Sequence, residues 1–232
     1  MATEEAIVLV GGLGTRLRAV VSDVPKPLAP VAGRPFLAWL LDNLAGNGVR
    51  HVVLAAGYLA ERVVDCIGRE WCGMRMDYSI ESHPLGTGGA VRQACGMLQG
   101  DSAHVLNGDT FLRYDLRALE QATVHAGADL GMALAQVADV ARYGAVIREG
   151  ARISGFREKG ESGPGYINAG SYYLTAAAIR ALPAEPAFSF ETRVLAPLTM
   201  AGRVCGFEAS SGFIDIGVPE DYQRAQSLFG SA

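Results

Sequence analysis

The chain has 232 residues, of which 50% are hydrophobic and 19% are charged, and its formal net charge is −4. A chain with this hydrophobic content can bury a core, so the composition excludes a disordered protein. The mild acidity argues against a general nucleic-acid binder, and no apolar run approaches the roughly 18–20 residues of a membrane span. The first residues carry acids where a secretory signal would be basic. We therefore expect one cytoplasmic domain over residues 1–232, with no nucleic-acid or membrane partner.

Strands and helices alternate over the first 127 residues. The β-branched run at 6–10 predicts a buried strand that enters a glycine-rich loop, and apolar residues at helical spacing predict a helix over 35–47. The further predictions, in chain order, are a strand at 51–56, a helix at 59–70, a strand at 75–80, a helix at 89–98, a strand at 103–106 and a helix at 115–126. This alternation is typical of a doubly wound α/β fold with a mainly parallel sheet.

Beyond residue 127 the pattern becomes richer in strands. We predict strands at 129–137, 143–148, 152–158 and 167–175, joined by short links that contain glycine. Ser189 can cap a helix over 190–200, and Pro219 begins a last helix that runs to 229. We interpret Glu220 and Asp221 only as charges at that helix's amino end. The chain is therefore divided into a nucleotide-binding half, 1–127, and a half over 128–232 that supplies the pocket of a second substrate.

Lysine and cysteine are both scarce. The 20 basic residues include only two lysines, Lys26 and Lys159. Arginine can replace lysine on most solvated surfaces but not where a compact ammonium group is needed, so both lysines are candidates for functional positions, with chance survival as the alternative. The cysteines form no CxxC pair and complete no zinc site with histidine, so we expect four buried free thiols: Cys66, Cys72, Cys95 and Cys205.

The first motif is LVGGLGTRL at residues 9–17. Gly11, Gly12 and Gly14 follow a predicted strand, and glycines there let backbone N–H groups approach an anion closely. A P-loop would end in Gly-Lys-Ser/Thr, and a dinucleotide-binding fingerprint would need glycine where Leu17 stands. The motif instead places Arg16 directly after a turn that could hold a phosphate.

The second motif is VPKPL, which holds Lys26 between Pro25 and Pro27. Prolines on both sides restrict the local backbone, so the ammonium group is presented from a stiffened loop. That is an unusual place for a lysine that is merely solvated.

LVGGLGTRL followed by VPKPL resembles the opening of the sugar-1-phosphate nucleotidylyltransferases. Further motifs follow in that family's order: PLGTGGA (84–90), VLNGDTF (105–111), RYGAV (142–146), FREKG (156–160), YINAGSYYL (166–174) and GFIDIGVPEDY (212–222). The resemblance implies a Rossmann-like (GT-A-type), three-layer α/β/α fold with a mainly parallel mixed sheet. It also implies attack by a sugar-1-phosphate oxygen on the α-phosphorus of a nucleoside triphosphate, with release of pyrophosphate.

The runs SIESHPLGTGGA, FSFET and FIDIGVPEDY are most similar to the branch of that family that joins GTP to D-glycero-α-D-manno-heptose 1-phosphate. This resemblance implies a role in making a surface polysaccharide of the capsule, S-layer or lipopolysaccharide type. The alternatives are a uridylyltransferase for a sugar such as N-acetylmuramate 1-phosphate and a mannose-1-phosphate guanylyltransferase. A non-catalytic sensor of nucleotide sugars and an NAD-binding protein are alternatives of another class. A homodimer is left open.

The resemblance also implies a set of nucleotide contacts. Arg16 would bind the departing β- and γ-phosphates, and Lys26 would neutralise charge at the α-phosphate. Asp109 and Asp215 would hold Mg²⁺, since carboxylates are ligands that this ion prefers. The full nucleotide set is Gly11, Gly12, Gly14, Thr15, Arg16, Lys26, Gly86, Asn107 and Asp109. Taken alone, Asp109 could be a turn residue and Asp215 could lie on an edge strand.

The sugar phosphate would be bound by the second half. Glu158 would accept hydrogen bonds from sugar hydroxyls, and Lys159, beside it on one predicted strand, would hold the sugar's phosphate. Gly144, Asn168 and Gly170 would complete the pocket. The catalytic residues would be Arg16, Lys26 and Lys159. A solvated ion pair is the alternative for Glu158 and Lys159, and a turn former is the alternative for Asn168. Glu81 is a candidate for pairing with guanine.

Overall fold

The computed structural model describes residues 2–11 and 24–230. Its strands are β1 (Glu5–Leu9), β2 (Pro30–Val31), β3 (Arg34–Pro35), β4 (His51–Ala56), β5 (Glu70–Trp71), β6 (Met74–Ile80), β7 (Ala103–Asn107), β8 (Thr110–Tyr114), β9 (Leu130–Val137), β10 (Val146–Glu149), β11 (Arg152–Phe156), β12 (Gly165–Leu174), β13 (Val204–Phe207) and β14 (Ser210–Asp215). Its α-helices are α1 (Phe36–Gly46), α2 (Ala60–Ile67), α3 (Gly86–Cys95), α4 (Leu116–His125), α5 (Ala176–Arg180), α6 (Ala196–Met200) and α7 (Pro219–Gly230). A 3₁₀-helix covers Lys26–Leu28 and a π-helix covers Glu191–Leu195.

Ten strands of the described residues form one mixed sheet in the order β10-β11-β13-β9-β12-β7-β1-β4-β6-β5. Strands β7, β1, β4 and β6 are parallel to one another, so their carboxyl ends meet at one edge. Strand β12 runs antiparallel to both β7 and β9, and it links the parallel part to the second half of the chain. The predicted fold class is confirmed.

Strands β1, β4 and β7 are buried on both faces, which explains why they are mainly apolar. In β1, Ala6 and Val8 pack on the same face as the leucines of α1, whereas Ile7 packs on the face covered by α3. The result is a three-layer arrangement with a hydrophobic core on each side of the sheet. A third, smaller cluster joins α7 to a separate two-stranded sheet, and there Phe229 packs against Phe36 and Phe111.

That two-stranded sheet is formed by β8 and β14, which were not predicted from the sequence. They pair antiparallel, with Asp215 opposite Thr110 and Ile214 opposite Phe111. Strand β13 was also not predicted. Each of these strands is short, and β8 directly follows a turn, so local periodicity carries little signal for them.

Several predicted boundaries were wrong, and each has a local cause. The strand predicted at 143–148 begins only at Val146, because Tyr143 and Gly144 turn back to donate to the carbonyl of Val140. The strand predicted at 152–158 ends at Phe156. The helix predicted at 190–200 begins as a π-helix, which precedes Pro197 and leaves room for a ring that cannot donate a backbone hydrogen bond.

The prediction of four buried thiols was right only for Cys205. Cys66 and Cys72 are exposed, Cys95 is half-buried and Cys205 is buried, and all four are free. In the part of the chain that the structure describes, no helix is both long enough and apolar enough to cross a membrane.

A buried ionic network joins the amino ends of the parallel strands, opposite the edge described above. Glu5 Oε1 lies 2.6 Å from His51 Nδ1, and His51 Nε2 lies 3.0 Å from Asp77 Oδ2. The Glu5 carboxylate also accepts hydrogen bonds from the backbone N–H groups of Gln99 and Gly100, just after α3. Burial acts to raise the pKa of Glu5, but these hydrogen bonds and His51 outweigh it and hold the pKa below its ordinary value.

Candidate active site

A cleft of about 540 Å³ opens at the carboxyl ends of β1 and β7. In an open α/β sheet this edge is where ligands bind. Its lining residues come from both halves of the chain: Leu9, Val10, Gly11, Lys26, Pro27, Thr87, Asn107, Asp109, Thr110, Arg142, Tyr143, Lys159, Glu191, Asp215, Gly217 and Val218. Both lysines of the chain therefore lie in its wall.

Lys26 lies between the two predicted metal ligands. Its Nζ is 2.5 Å from Asp109 Oδ2 and 3.6 Å from Asp215 Oδ1. Asp109 follows β7, and Asp215 ends β14, which pairs with β8 directly after Asp109. The Ile216 N–H donates to the Asp109 carbonyl at 3.1 Å, so the pairing of β8 with β14 brings the two carboxylates together.

Gly217 makes this close approach possible. Its N–H donates to Asp215 Oδ1 at 2.8 Å. A Cβ atom at this position would lie 2.8 Å from Asp215 Oδ1 and 3.1 Å from Lys26 Nζ, so a side chain would displace both groups.

Arg142 forms a second cationic contact with one of these carboxylates, that of Asp215. Its NH2 lies 3.1 Å from Asp215 Oδ2, its NH1 bonds Asp221, and its guanidinium stacks over the Tyr143 ring at 4.8 Å. Burial acts to lower the pKa of Arg142, but Asp221, Tyr143 and Asp215 outweigh it and raise that pKa. The interpretation of Asp221 as only a helix-end charge was wrong, because this buried carboxylate anchors Arg142 behind Asp215.

The carboxylate pair fits a divalent cation. Among the described residues there is no cluster of three or more His, Cys, Asp and Glu side chains that could hold a metal ion. Mg²⁺ is commonly bound by one or two carboxylates together with waters and substrate phosphates, so it does not need such a cluster. The ammonium group of Lys26 already occupies a position where two carboxylates attract positive charge.

Asn107 lines the cleft, and the predicted sugar-binding residue Gly170 lies directly behind it. Gly170 has a φ of +67°, and a Cβ there would lie 2.4 Å from Asn107 Nδ2, so only glycine fits behind the amide. Asn168 donates to the Tyr172 hydroxyl at 2.8 Å and accepts from the Gly170 N–H at 3.0 Å. These bonds stabilise the irregular stretch between Asn168 and Tyr172, where the register of β12 shifts against β9.

The remaining predicted sugar-binding residues lie on two touching loops. Gly144 has a φ of +80°, and a Cβ there would lie 2.6 Å from the Arg157 carbonyl oxygen. Lys159 and Glu158 are both exposed in the same loop, and of the two only Lys159 is among the residues that line the cleft. The expectation that Glu158 and Lys159 alternate on one strand was wrong, because β11 ends before them and Gly160 N–H donates instead to the Ala141 carbonyl.

The nucleotide loops are described in part. Gly11 lines the cleft, and a Cβ there would lie 3.1 Å from the Gly57 nitrogen. Gly86 begins α3 with a φ of +69°, close to the carbonyl of Phe188. Glu81 Oε2 accepts from the Leu85 N–H at 3.2 Å. The predicted residues Gly12, Gly14, Thr15 and Arg16 lie outside the described residues.

Several cleft residues were not singled out from the sequence, among them Thr87, Arg142, Glu191 and Gly217. Thr87, Arg142 and Gly217 belong to the quoted motifs PLGTGGA, RYGAV and GFIDIGVPEDY, and Glu191 belongs to FSFET. The signal was therefore present as motifs. It did not say which member of each motif faces the cleft.

Comparison with known proteins places this fold and cleft in a family. Residues 5–230 match the Nucleotidyl transferase family. The chain belongs to that family. This nucleotidyl transferase is 40% identical over 222 residues to the D-glycero-alpha-D-manno-heptose 1-phosphate guanylyltransferase of Aneurinibacillus thermoaerophilus, with 96% of each chain covered.

Two further comparisons bear on the cleft. The nucleotidyl transferase is 37% identical over 234 residues to the mannose-1-phosphate guanylyltransferase of Mycobacterium tuberculosis, covering 98% of this chain and 65% of the relative. Among solved structures, HddC from Yersinia pseudotuberculosis complexed with GMP-PN matches with a TM-score of 0.86 at 36% identity, covering 97% of this chain and 99% of HddC. The resemblance inferred from the motifs is confirmed.

Proposed function

We propose that the protein transfers GMP from GTP to D-glycero-α-D-manno-heptose 1-phosphate, giving GDP-D-glycero-α-D-manno-heptose and pyrophosphate. The observation that carries the proposal is the meeting of Lys26, Asp109 and Asp215 at the carboxyl end of the parallel strands, with Lys159 in the same cleft. The two substrates are both polyanions, so their approach depends on positioning and on neutralisation of charge. The chain's similarity to the heptose 1-phosphate guanylyltransferase supports the choice of substrates.

In this reaction a phosphate oxygen of the sugar 1-phosphate forms a bond to the α-phosphorus of GTP. The bond from that phosphorus to the bridging oxygen breaks, and pyrophosphate leaves with the electron pair. Lys26 begins a short 3₁₀-helix between Pro25 and Pro27, which restrict its backbone, and from there its ammonium would neutralise the α-phosphate. Lys159 would hold the sugar's phosphate, and Arg16 the β- and γ-phosphates.

Asp109 and Asp215 would hold Mg²⁺, which when bound supplies Lewis-acid neutralisation of the phosphate oxygens. Arg142 keeps Asp215 in place through its NH2 group, and Asp221 keeps Arg142 in place. The two-stranded sheet of β8 and β14 therefore fixes the position of the carboxylate pair.

Glu81 is our candidate for reading the base. It follows β6 at the nucleotide edge of the sheet, and a Cβ on Gly57 would lie 3.7 Å from its Oε2. Guanine presents N–H donors at N1 and N2, which a carboxylate can accept, whereas uracil presents one N–H and two carbonyl oxygens. A carboxylate at this position therefore favours GTP over UTP.

The remaining parts of the proposal concern organisation. We assign residues 1–127 to the nucleotide and residues 128–232 to the sugar phosphate, and the cleft draws its wall from both. Consumption of GTP would place the reaction in the cytoplasm, and its product would serve a surface polysaccharide. A homodimer stays a prediction. Mannose-1-phosphate guanylyltransferase activity is the second candidate, favoured by the relative from Mycobacterium tuberculosis.

The test is release of pyrophosphate across a panel of four nucleoside triphosphates and several sugar 1-phosphates. We expect the highest kcat/KM with GTP and the heptose 1-phosphate. Asp109→Asn and Asp215→Asn should each lower turnover by about two orders of magnitude, because each removes a charge that serves the transition state. Turnover with UTP and none with GTP would overturn the proposal.

A further inference from the structure

Glu191 is a cleft carboxylate to which the proposed transfer assigns no role. It begins the π-helix and lines the cleft together with Asn107 and Lys159. The other charged groups in this wall are cations, or carboxylates paired with cations, as phosphate-bearing substrates require. An acidic group among them calls for a separate explanation.

Two hydroxyl groups hold the Glu191 side chain in one orientation. Thr87 Oγ1 donates to Glu191 Oε2 at 2.9 Å, and Ser189 Oγ donates to the same oxygen at 2.8 Å. Thr87 Oγ1 accepts in turn from the Phe190 N–H at 2.9 Å, and Ser189 Oγ accepts from the Thr192 N–H at 3.2 Å. Each hydroxyl has one hydrogen and donates it to Glu191, so the direction of each of these hydrogen bonds is fixed.

Within the described residues both of these bonds end on Oε2, so Oε1 keeps its capacity as an acceptor, and the residue lines the cleft. A carboxylate fixed in this way repels a phosphate group. It attracts hydroxyl groups, which are neutral and can donate to it. The chemistry of this part of the wall therefore suits the hydroxylated part of a sugar phosphate rather than either phosphate.

The position of Glu191 agrees with that chemistry. The neighbouring Phe190 ring packs on the Tyr172 ring, with centroids 5.2 Å apart. The Tyr172 hydroxyl accepts from Asn168, one of the predicted sugar-binding residues. Burial is the main cause that raises the pKa of Tyr172, and the charge of Glu191 adds to it, which indicates that the two groups are near one another.

We infer that Glu191 accepts hydrogen bonds from sugar hydroxyls and thereby sets which sugar 1-phosphate the cleft takes. The inference rests on the proposed function, since it assigns a specificity-determining residue to that same reaction. Thr87 and Ser189 are positioning residues that act through Glu191. Because Thr87 belongs to the nucleotide-loop motif PLGTGGA, the network also ties the sugar contact to the nucleotide half of the cleft.

The test is Glu191→Gln, which keeps the shape of the side chain and removes its charge. We expect kcat/KM for the heptose 1-phosphate to fall about 10- to 100-fold, the loss expected for a hydrogen bond to a charged group, mainly through KM. The KM for GTP should stay unchanged. We also expect a smaller ratio of kcat/KM for the heptose 1-phosphate to kcat/KM for mannose 1-phosphate, or for analogues lacking one hydroxyl. The reason is that a site built to bind a hydroxyl discriminates against its absence.

Glu185→Gln is the matched control. Glu185 is an exposed glutamate before the same helix and pairs with Arg193 at 2.7 Å, away from the hydroxyl network. The Glu185→Gln substitution should leave the order of kcat/KM among the sugar 1-phosphates unchanged.

Thr87→Val should reduce the preference for the heptose 1-phosphate as Glu191→Gln does, because it removes a hydrogen bond that orients the Glu191 carboxylate and leaves the carboxylate itself in place.

The failures of the two proposals can be told apart. A wild-type protein that turns over no sugar 1-phosphate overturns the proposed function and this inference together. A wild-type protein that turns over the heptose 1-phosphate, with a Glu191→Gln variant that keeps both its KM and its order of sugars, overturns only this inference. An equal loss for every sugar, with a raised KM for GTP, would also overturn it, because that pattern indicates a general structural role.

Discussion

Replacing Lys26 with methionine tests whether this ammonium group occupies the metal's place when no nucleotide is bound. Lys26 Nζ lies 2.5 Å from Asp109 and 3.6 Å from Asp215. The side chains of Lys26, Asp109 and Asp215 are 14%, 35% and 27% exposed, so their interactions are screened only in part. A cation that binds both carboxylates must therefore compete with Lys26.

The size of that competition follows from the distances. Two unit charges about 4 Å apart interact by about 1 kcal/mol in water and by about 4 kcal/mol near a protein surface. Methionine keeps the length of the side chain and removes the charge, so we expect it to relieve about 1.5–3 kcal/mol of competition. The dissociation constant of Mn²⁺ for the nucleotide-free protein should fall about 10- to 100-fold.

The assay is titration of the nucleotide-free protein with Mn²⁺, followed by electron paramagnetic resonance or calorimetry. Lys159→Met is the matched control, because Lys159 is the other lysine of the cleft and lies on a separate loop. In the wild type, GTP should tighten Mn²⁺ binding more than it does in Lys26→Met, since the α-phosphate would draw Lys26 away from the carboxylates. Equal Mn²⁺ affinities for wild type and Lys26→Met would refute this reasoning, as would an equal gain in Lys159→Met.

Three further predictions concern single positions. Lys26→Arg and Lys159→Arg should both lower kcat in the pyrophosphate assay, because the planar guanidinium is larger than an ammonium group; full activity of both would show that the scarcity of lysine has no functional meaning. Gly217→Ala should lower kcat with little change in the melting temperature, since its Cβ would displace Asp215 and Lys26; wild-type kcat would contradict this. The lowered pKa of Glu5 contributes stability that is present above its ordinary value of 4.5 and is lost as the pH falls through the lower folded value. Glu5→Gln should therefore cost about 1–3 kcal/mol of unfolding free energy at neutral pH and less in acid, as measured by urea denaturation; a cost independent of pH would contradict the argument.

Local patterns predicted the parallel core well. The continuous apolar run of β1 and the helical spacing of the leucines in α1 are strong local signals. Both elements were found near their predicted bounds. The two-stranded sheet of β8 and β14 was not predicted, because those strands pair across about 100 residues of chain and carry little local signal. Long-range pairing also explains why Asp221 was misread, since its partner Arg142 lies far away in the sequence.

The same limit applies to the candidate site. The family's motifs named Lys26, Asp109 and Asp215. Their close approach depends on the register between β8 and β14 and on the space beside Gly217. Glu158 was placed at the end of a strand predicted over 152–158, but the turn around Gly144 ends the pairing earlier. The orientation of Glu191 could not be predicted, because it is set by the hydroxyl groups of Thr87, at the start of α3, and of Ser189, about 100 residues later.

The most direct test of the account follows the α-phosphorus itself. The purified protein is incubated with Mg²⁺, D-glycero-α-D-manno-heptose 1-phosphate and GTP labelled at the α-phosphorus, and the products are separated and identified by mass spectrometry. We predict that the label appears in GDP-heptose, in amounts equal to the pyrophosphate released. Label recovered only as GMP or GTP, or transfer from UTP with none from GTP, would contradict the account.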